Sequence, residues 1–334
     1  MVRRVTIHDV AAAAGVSVAT VSKAVNGRYG VAEETVARVL SAVDELGYES
    51  SLVASSMRSR RTGVIGVLVA DFEPFSAEVL KGVGSALADS GHDVLAYSGS
   101  HQEGTGWERR SLSRLSGTLI DGAIMVTPTI VNVTSDVPIV AVDPHTGRAD
   151  LPTVESDSFT GAQQAVRHLV ELGHRRIGFI AGRPDLRSSA ARDAGYRVAL
   201  SEAGIPFDPN LVGVGRYHGD IAREAAVQML SSVHRPTAIF AANDLSALSI
   251  IDVAHELGLS VPEDLSVIGF DDVPEAARAA LPLSTVRQPM QRLGAAAATM
   301  VLALMNGEEL DATHVRLATR LVPRATTAPP RAER

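Results

Sequence analysis

Residues 6–27 read Thr-Ile-His-Asp-Val-Ala-Ala-Ala-Ala-Gly-Val-Ser-Val-Ala-Thr-Val-Ser-Lys-Ala-Val-Asn-Gly. Thr6 and Asp9 have the spacing of a capping box, and Ile7, Val10, Ala11 and Ala14 then recur at helical intervals until Gly15 stops the turn. Ser17 caps a second helix, Val18–Val25, which Asn26 and Gly27 end. The segment Ala14-Gly15-Val16-Ser17 between them has the length of the turn in a helix-turn-helix. A third helix is expected from Ala32 to Leu46, with Val36, Val39, Leu40 and Val43 on one stripe and Gly47 at its end.

Outward from this unit, the texture changes at Thr62 to short β-branched runs alternating with helical segments. Strands are expected at Val64–Ala70, Asp93–Tyr97, Gly122–Val126, Ile139–Val142, Arg176–Ala181, Ala238–Ala241 and Ser266–Phe270. Helices are expected near Ser76–Ser90, Gly161–Leu172, Ala190–Ala203, Asp220–Leu230, Leu245–Leu257 and Met290–Met305. This alternation implies parallel sheets covered on both faces by helices. Two similar halves, roughly 63 to 158 and 159 to 285, suggest two lobes with a cleft between them. The last helix and a strand at Val315–Val322 cross back. The fold class is α followed by α/β: a three-helix unit at 1–50, a linker at 51–62, a two-lobed domain at 63–327, and a Pro/Ala-rich tail at 328–334 that is expected to be disordered.

A chain of 334 residues with 46% hydrophobic content can bury a sizeable core. It contains no run of the roughly 18 apolar residues that a membrane helix needs. Asp9 interrupts the start where a signal peptide would need an apolar segment, so a cytoplasmic location is expected. The absence of cysteine excludes disulfides and thiolate chemistry. The net charge of −7 conceals an asymmetry: residues 1–62 carry eight basic against six acidic side chains, a net +2, which leaves −9 for the rest. Arg58, Arg60 and Arg61 cluster at the end of the linker. No nucleophile elbow, phosphate-binding loop or zinc-protease motif is present, and the pattern begun by Gly82 and Gly84 ends in Leu87, which removes a dinucleotide site. His168 and His174 read as surface residues rather than metal ligands. No enzyme, cofactor or metal is expected.

The stretch 6–27 closely resembles the signature of the lactose/galactose repressor family. The resemblance continues through Val31–Tyr48, the linker Leu52–Arg61, His168–His174, Ala242-Asn243-Asp244, Gly269-Phe270-Asp271-Asp272 and Leu321–Thr327. It implies a homodimeric transcription regulator that binds double-stranded operator DNA. The second helix would enter the major groove, with Val18 and Ala19 making apolar contacts and Lys23 donating to guanine. Relatives usually have Arg at the place of Lys23, and lysine lacks the planar fork, so discrimination there is expected to be looser. Ser17, Thr20, Ser22, Asn26 and Tyr48 would bond phosphates, and Thr6, Arg58 and Arg60 complete the DNA-contact set. Thr20 and Val21 also read as core of the small helical unit. In the linker, which the family folds as a hinge helix on DNA, Met57 stands at the position of an apolar minor-groove wedge, usually Leu. Ser51 departs from a common Asn.

For the two-lobed domain the resemblance implies a small-molecule effector, a mono- or oligosaccharide. It places Asp143, Arg192, Asn243 and Asp271 at the cleft, with Phe72, Phe75 and Phe159 as walls and Gln288 at the returning crossover. Ile221 stands where the lactose repressor has an aromatic platform, which argues against a lactose-like ligand. A purine corepressor and a phosphorylated partner protein are alternative effectors. A sugar-binding transport protein of the same fold is a further alternative, but it would need a signal peptide and does not account for the first sixty residues. The C-terminus carries no leucine heptads, so a dimer rather than a tetramer is expected.

Overall fold

Helices α1 (Ile7–Ala14), α2 (Val18–Val25) and α3 (Glu33–Leu46) pack around Val10, Ala11, Ala14, Val21, Ala24, Val39 and Ala42. Small side chains let three short helices approach closely. The Asp9 carboxylate accepts the Thr6 backbone N–H at 2.8 Å and the Thr6 hydroxyl at 2.7 Å, which fixes the entry to α1. Gly15 closes the helix at φ 64°, and Arg38 of α3 donates to the Ala14 carbonyl at 3.0 Å, so the turn is tied at both ends. Leu40 is exposed, contrary to its expected place on the inner stripe. Ala42 takes the inner position instead, because a residue directly after Val39 points about a quarter-turn away from the core.

The computed structural model describes residues 5–25, 30–46, 61–99, 106–129, 133–145 and 151–331. The chain divides into two units, Met1–Thr62 and Gly63–Arg334. In the second unit, strands β1 (Val64–Val69), β2 (Asp93–Ser98), β3 (Gly122–Val126), β4 (Ile139–Val142), β5 (Thr153–Ser156) and β11 (His314–Leu317) form one sheet in the order β11-β5-β4-β3-β1-β2. All its pairings are parallel. β1 is buried at every residue, as its unbroken apolar run requires of a central parallel strand, whereas β2 lies at the edge. A second parallel sheet has the order β7-β6-β8-β9, built from β6 (Ile177–Ala181), β7 (Val212–Val214), β8 (Ala238–Ala241) and β9 (Ser266–Ile268). Two short strands, β10 (Thr285–Arg287) and β12 (Arg320–Val322), pair antiparallel.

Helices α4 (Pro74–Leu87), α5 (Trp107–Leu115) and α11 (Met290–Met305) serve the first lobe. Helices α6 (Ser158–Glu171), α7 (Arg187–Glu202), α8 (Gly219–Leu230), α9 (Asp244–Glu256) and α10 (Pro274–Arg278) belong to the second. The chain crosses between lobes three times: from β5 to α6, from β10 to α11, and from β11 to β12. α11 lies against α4 so closely that a Cβ on Gly82 would sit 2.0 Å from the Gln291 carbonyl oxygen, and one on Gly294 would sit 2.1 Å from that of Val79.

Several elements differ from the sequence reading. β5, β7, β10, α5 and α10 were not expected, and Val315–Val322 is two strands in different sheets because the chain changes lobes at Ala318 and Thr319. The expected disorder of the tail does not hold for Ala328–Arg331. The Ala328 N–H donates to Ser266 Oγ at 3.0 Å, and Arg331 pairs with Asp264. His174 is a buried residue, not a surface one. Its Nδ1 meets Thr237 Oγ1 at 2.9 Å and its Nε2 meets the Ala328 carbonyl at 2.9 Å. Residues 332–334 lie outside the described residues.

Candidate functional sites

Parallel sheets present ligands at the carboxyl ends of their strands, and there residues of both lobes line a cleft with about 50 Å³ of free space. The first lobe contributes Glu73 and Phe75 at the start of α4, Thr127 after β3, and Asp143 and His145 after β4. The second contributes Ser188 and Arg192 from α7, Tyr217 ahead of α8, Asn243 after β8 and Asp271 after β9, while Gln288 lies on a crossover. Four of these residues hold positive φ without being glycine: Thr127 at 49°, Asp143 at 45°, Tyr217 at 68° and Asp271 at 123°. Such strained backbone is held only where the surroundings over-determine it, and here it turns side chains into the cavity.

Arg192 is almost fully buried, and four neighbours fix its guanidinium. Nη1 donates to the Ala242 carbonyl, Nη2 lies 4.0 Å from the Asp271 carboxylate, and the guanidinium carbon sits 3.8 Å from the centre of the Phe270 ring and 5.5 Å from that of Tyr217. Among the described residues its Nε has no partner. Gln288 joins the crossovers to the cleft. Its amide nitrogen donates to Asp271 Oδ1 at 2.6 Å, and its carbonyl oxygen accepts from the Ser156 hydroxyl at the end of β5. The Ser156 backbone N–H in turn donates to Asp143 Oδ1 at 3.0 Å. A chain of hydrogen bonds thus runs from Asp143 of one lobe to Asp271 of the other.

Burial dominates the charges of this site. It pushes Asp143 up to about 6, against the pull of the Ser156 N–H and the Arg192 charge. Burial raises Asp271 too, opposed by Arg192 and Gln288 and reinforced by Glu73 and Asp143. Glu73 is raised by burial and then by Asp71. His145 is pushed down to about 4, first by burial and then by the nearby Arg183 charge, so its ring is neutral at physiological pH. Asn243 is committed to structure: its side chain caps α9 through the Ser246 N–H at 3.1 Å and donates to the Tyr217 carbonyl at 3.1 Å.

Of the residues expected at the cleft, Phe75, Asp143, Arg192, Asn243, Asp271 and Gln288 lie together around this space. Phe72 is exposed and outside the lining, and Phe159 lines a neighbouring hollow with Asp157, Arg187 and Arg316. Ile221 lies on α8 and faces a different groove, beside Val212 and Val214. The second lobe's aromatic residue at the cleft is Tyr217, whose hydroxyl is 3.0 Å from Ser188 Oγ. Ile221 therefore does not bear on whether a lactose-like ligand fits the cleft. Glu73, Thr127, His145, Ser188 and Tyr217 were missed. The signal that could have found Tyr217 is its place in the loop after a strand of the second sheet.

In the first unit, α2 buries Val21 and Ala24 and turns Ala19 and Lys23, four residues apart, to the outside, with Val18, Thr20 and Ser22 half-buried. Val21 is core alone. Ser17 Oγ accepts the Thr20 N–H at 3.1 Å and lies 2.9 Å from the Thr20 hydroxyl, which caps the helix. Asn26, Tyr48, Met57, Arg58 and Arg60 lie outside the described residues.

Residues 6–51 match the lacI family of bacterial regulatory proteins, and residues 166–327 match the periplasmic binding protein-like domain. The HTH-type transcriptional repressor PurR of Pectobacterium carotovorum subsp. carotovorum is 36% identical over 97% of this chain and 97% of its own. That of Yersinia pestis (strain Pestoides F) is 35% identical with the same coverage. Among solved structures, the complex of the transcriptional regulator CelR with cellobiose is 32% identical, covers 97% of this chain and 100% of its own, and has a TM-score of 0.73. The Lac repressor dimer bound to operator and the anti-inducer ONPF is 27% identical, covers 98% and 100%, and has a TM-score of 0.84. These relatives match this chain over nearly its whole length, and the chain belongs to the lacI family of DNA-binding transcriptional repressors.

Proposed function

We propose that the protein is a homodimeric, sugar-responsive repressor of carbohydrate uptake or breakdown genes, acting in the cytoplasm on a near-palindromic operator. The observation that carries this reading is the cleft itself: polar side chains from both lobes, with Arg192 and Asp271 on one side and Asp143 on the other, converge on one space. Vicinal hydroxyls suit a guanidinium and carboxylate pair, because each hydroxyl both donates and accepts. The cellobiose-bound relative supports a sugar. Ala19 and Lys23 of α2, with Val18, would read base edges, Thr6, Ser17, Thr20, Ser22, Asn26 and Tyr48 would set register on phosphates, and Met57, Arg58 and Arg60 would act at the minor groove.

Ligand closure of the lobes would shift the equilibrium away from the operator-bound form. A hundredfold preference for the released form supplies about 2.7 kcal/mol per site. A purine effector is the second reading, favoured by an aromatic residue from each lobe at the cleft, Phe75 and Tyr217. The test is fluorescence anisotropy of the full-length protein on an operator selected from random DNA, titrated with mono- and disaccharides and with guanine and hypoxanthine. Release by a sugar is the expected outcome. Tighter operator binding with a purine, and no response to any sugar, would overturn the sugar reading.

A further inference from the structure

We infer that the cleft selects uncharged, hydroxyl-bearing ligands and rejects their phosphorylated counterparts, because three carboxylates face it and its single guanidinium is already engaged within the protein. This deepens the effector reading above and rests on that cleft being the effector site. Among the described lining residues the acids are Glu73, Asp143 and Asp271, and the only arginine or lysine is Arg192. Arg192 spends Nη1 on the Ala242 carbonyl, faces Asp271 with Nη2 and lies on the Phe270 ring. Recognition of a phosphate calls for several cations or an exposed, forked donor pair, whereas here there is one cation among the described lining residues, its Nη1 is taken by the Ala242 carbonyl, and its unpartnered Nε is buried.

The nearest other arginines do not change the balance. Arg183 pairs with Asp185 at 2.6 Å. Arg187 and Arg316 line the adjoining hollow, and both reach Glu155, at 3.6 and 2.6 Å. His145 could add a charge only as imidazolium, and burial, followed by the Arg183 charge, holds its ring neutral. The carboxylates already oppose one another, since Glu73 and Asp143 both act on Asp271 to disfavour its charged form. A further dianion would meet the same opposition in a site that water screens poorly. A neutral polyol meets the opposite situation. Its hydroxyls donate to carboxylate oxygens in charge-assisted hydrogen bonds, and the acceptor-rich wall is satisfied rather than repelled.

The experiment is isothermal titration of the full-length protein at pH 7.5 with matched pairs: glucose and glucose 6-phosphate, cellobiose and cellobiose 6-phosphate, guanosine and guanosine 5′-monophosphate. The expected result is binding of the uncharged member of at least one pair, with the phosphorylated member at least about tenfold weaker. Glu73→Gln, at the rim of the cleft, narrows that ratio severalfold, and its melting temperature reports whether it folds. Equal or tighter binding of a phosphorylated member overturns the inference, as does a panel in which no uncharged member binds. If guanosine binds, its monophosphate does not, and no sugar binds, the charge selection stands while the sugar reading falls.

Discussion

Replacing Arg192 by alanine tests whether the cleft is organised around one buried charge. The substitution removes a charged donor from the Ala242 carbonyl, strips the Phe270 ring of its cation and leaves Asp271 without its counter-charge. Breaking a buried ion pair from one side costs about 3–5 kcal/mol and losing a charged hydrogen bond about 1.5–3 kcal/mol. The two overlap at one side chain and do not add. A loss of about 4 kcal/mol is therefore expected at pH 8, which lowers the melting temperature of the sensor by roughly 8–16 °C. The pH dependence is the sharper part. Burial already raises Asp271, so its contribution to stability is fully present below the unfolded carboxylate range and is lost as pH rises through the folded value. Arg192 lowers that folded value, and without it Asp271 titrates higher still, so the deficit of the variant shrinks toward about half at pH 5. Thermal unfolding followed by circular dichroism at the two pH values measures both numbers. A shift below about 2 °C at pH 8, or the same shift at both, would refute the reasoning. In operator titrations the same variant should bind DNA and ignore the effector.

Lys23→Ala should weaken operator binding by roughly 1–3 kcal/mol and relax preference at one base pair per half-site, whereas an equal loss on random DNA, measured by anisotropy, would mean that Lys23 contacts only the backbone. Asp143→Asn removes a carboxyl raised to about 6, whose stabilising contribution disappears as pH rises from about 4 to about 6. The melting temperature of the variant relative to the parent should therefore climb across that interval, and a flat difference would argue against a buried, perturbed Asp143. Gly82→Ala should cost about 1–3 kcal/mol, because its Cβ would fall 2.0 Å from the Gln291 carbonyl oxygen, while Gly84→Ala, with nothing within 4 Å, should be neutral or stabilising by up to about 1 kcal/mol. Equal melting temperatures for the two alanine variants would show that α4 and α11 can move apart.

What could be read from the sequence depended on how local the determining physics was. Caps and periodicity within 6–25 place α1 and α2 to within a residue, since Thr6, Asp9, Gly15 and Ser17 act on their own neighbours. The central strands of both sheets stand out as apolar runs. β5 does not: Thr153–Ser156 alternates no pattern and is a strand only because β4 and β11 lie on either side of it. The split of Val315–Val322 is equally invisible, because it follows from which lobe each half must join. At the cleft, Asn243 and Asp271 were legible through their motifs, and Arg192 through the family resemblance. Tyr217 was missed because a correspondence by position settled on Ile221, four residues later and on the helix rather than in the loop that turns into the cleft. His174 looked like a surface residue because its partners, Thr237, Ser266 and Ala328, are remote in sequence.

The threefold passage of the chain between the lobes has a consequence for synthesis. The core of the first unit is complete once Val43 has been made. The first lobe instead needs α11 and β11, so its sheet lacks an edge strand until His314–Leu317 has left the ribosome, and the second lobe waits for β12 just after it. Neither lobe can follow the usual course of folding as a finished N-terminal domain during translation. A nascent chain halted anywhere between Gly47 and Leu317 carries a finished DNA-binding core joined to a sensor that has no way yet to close.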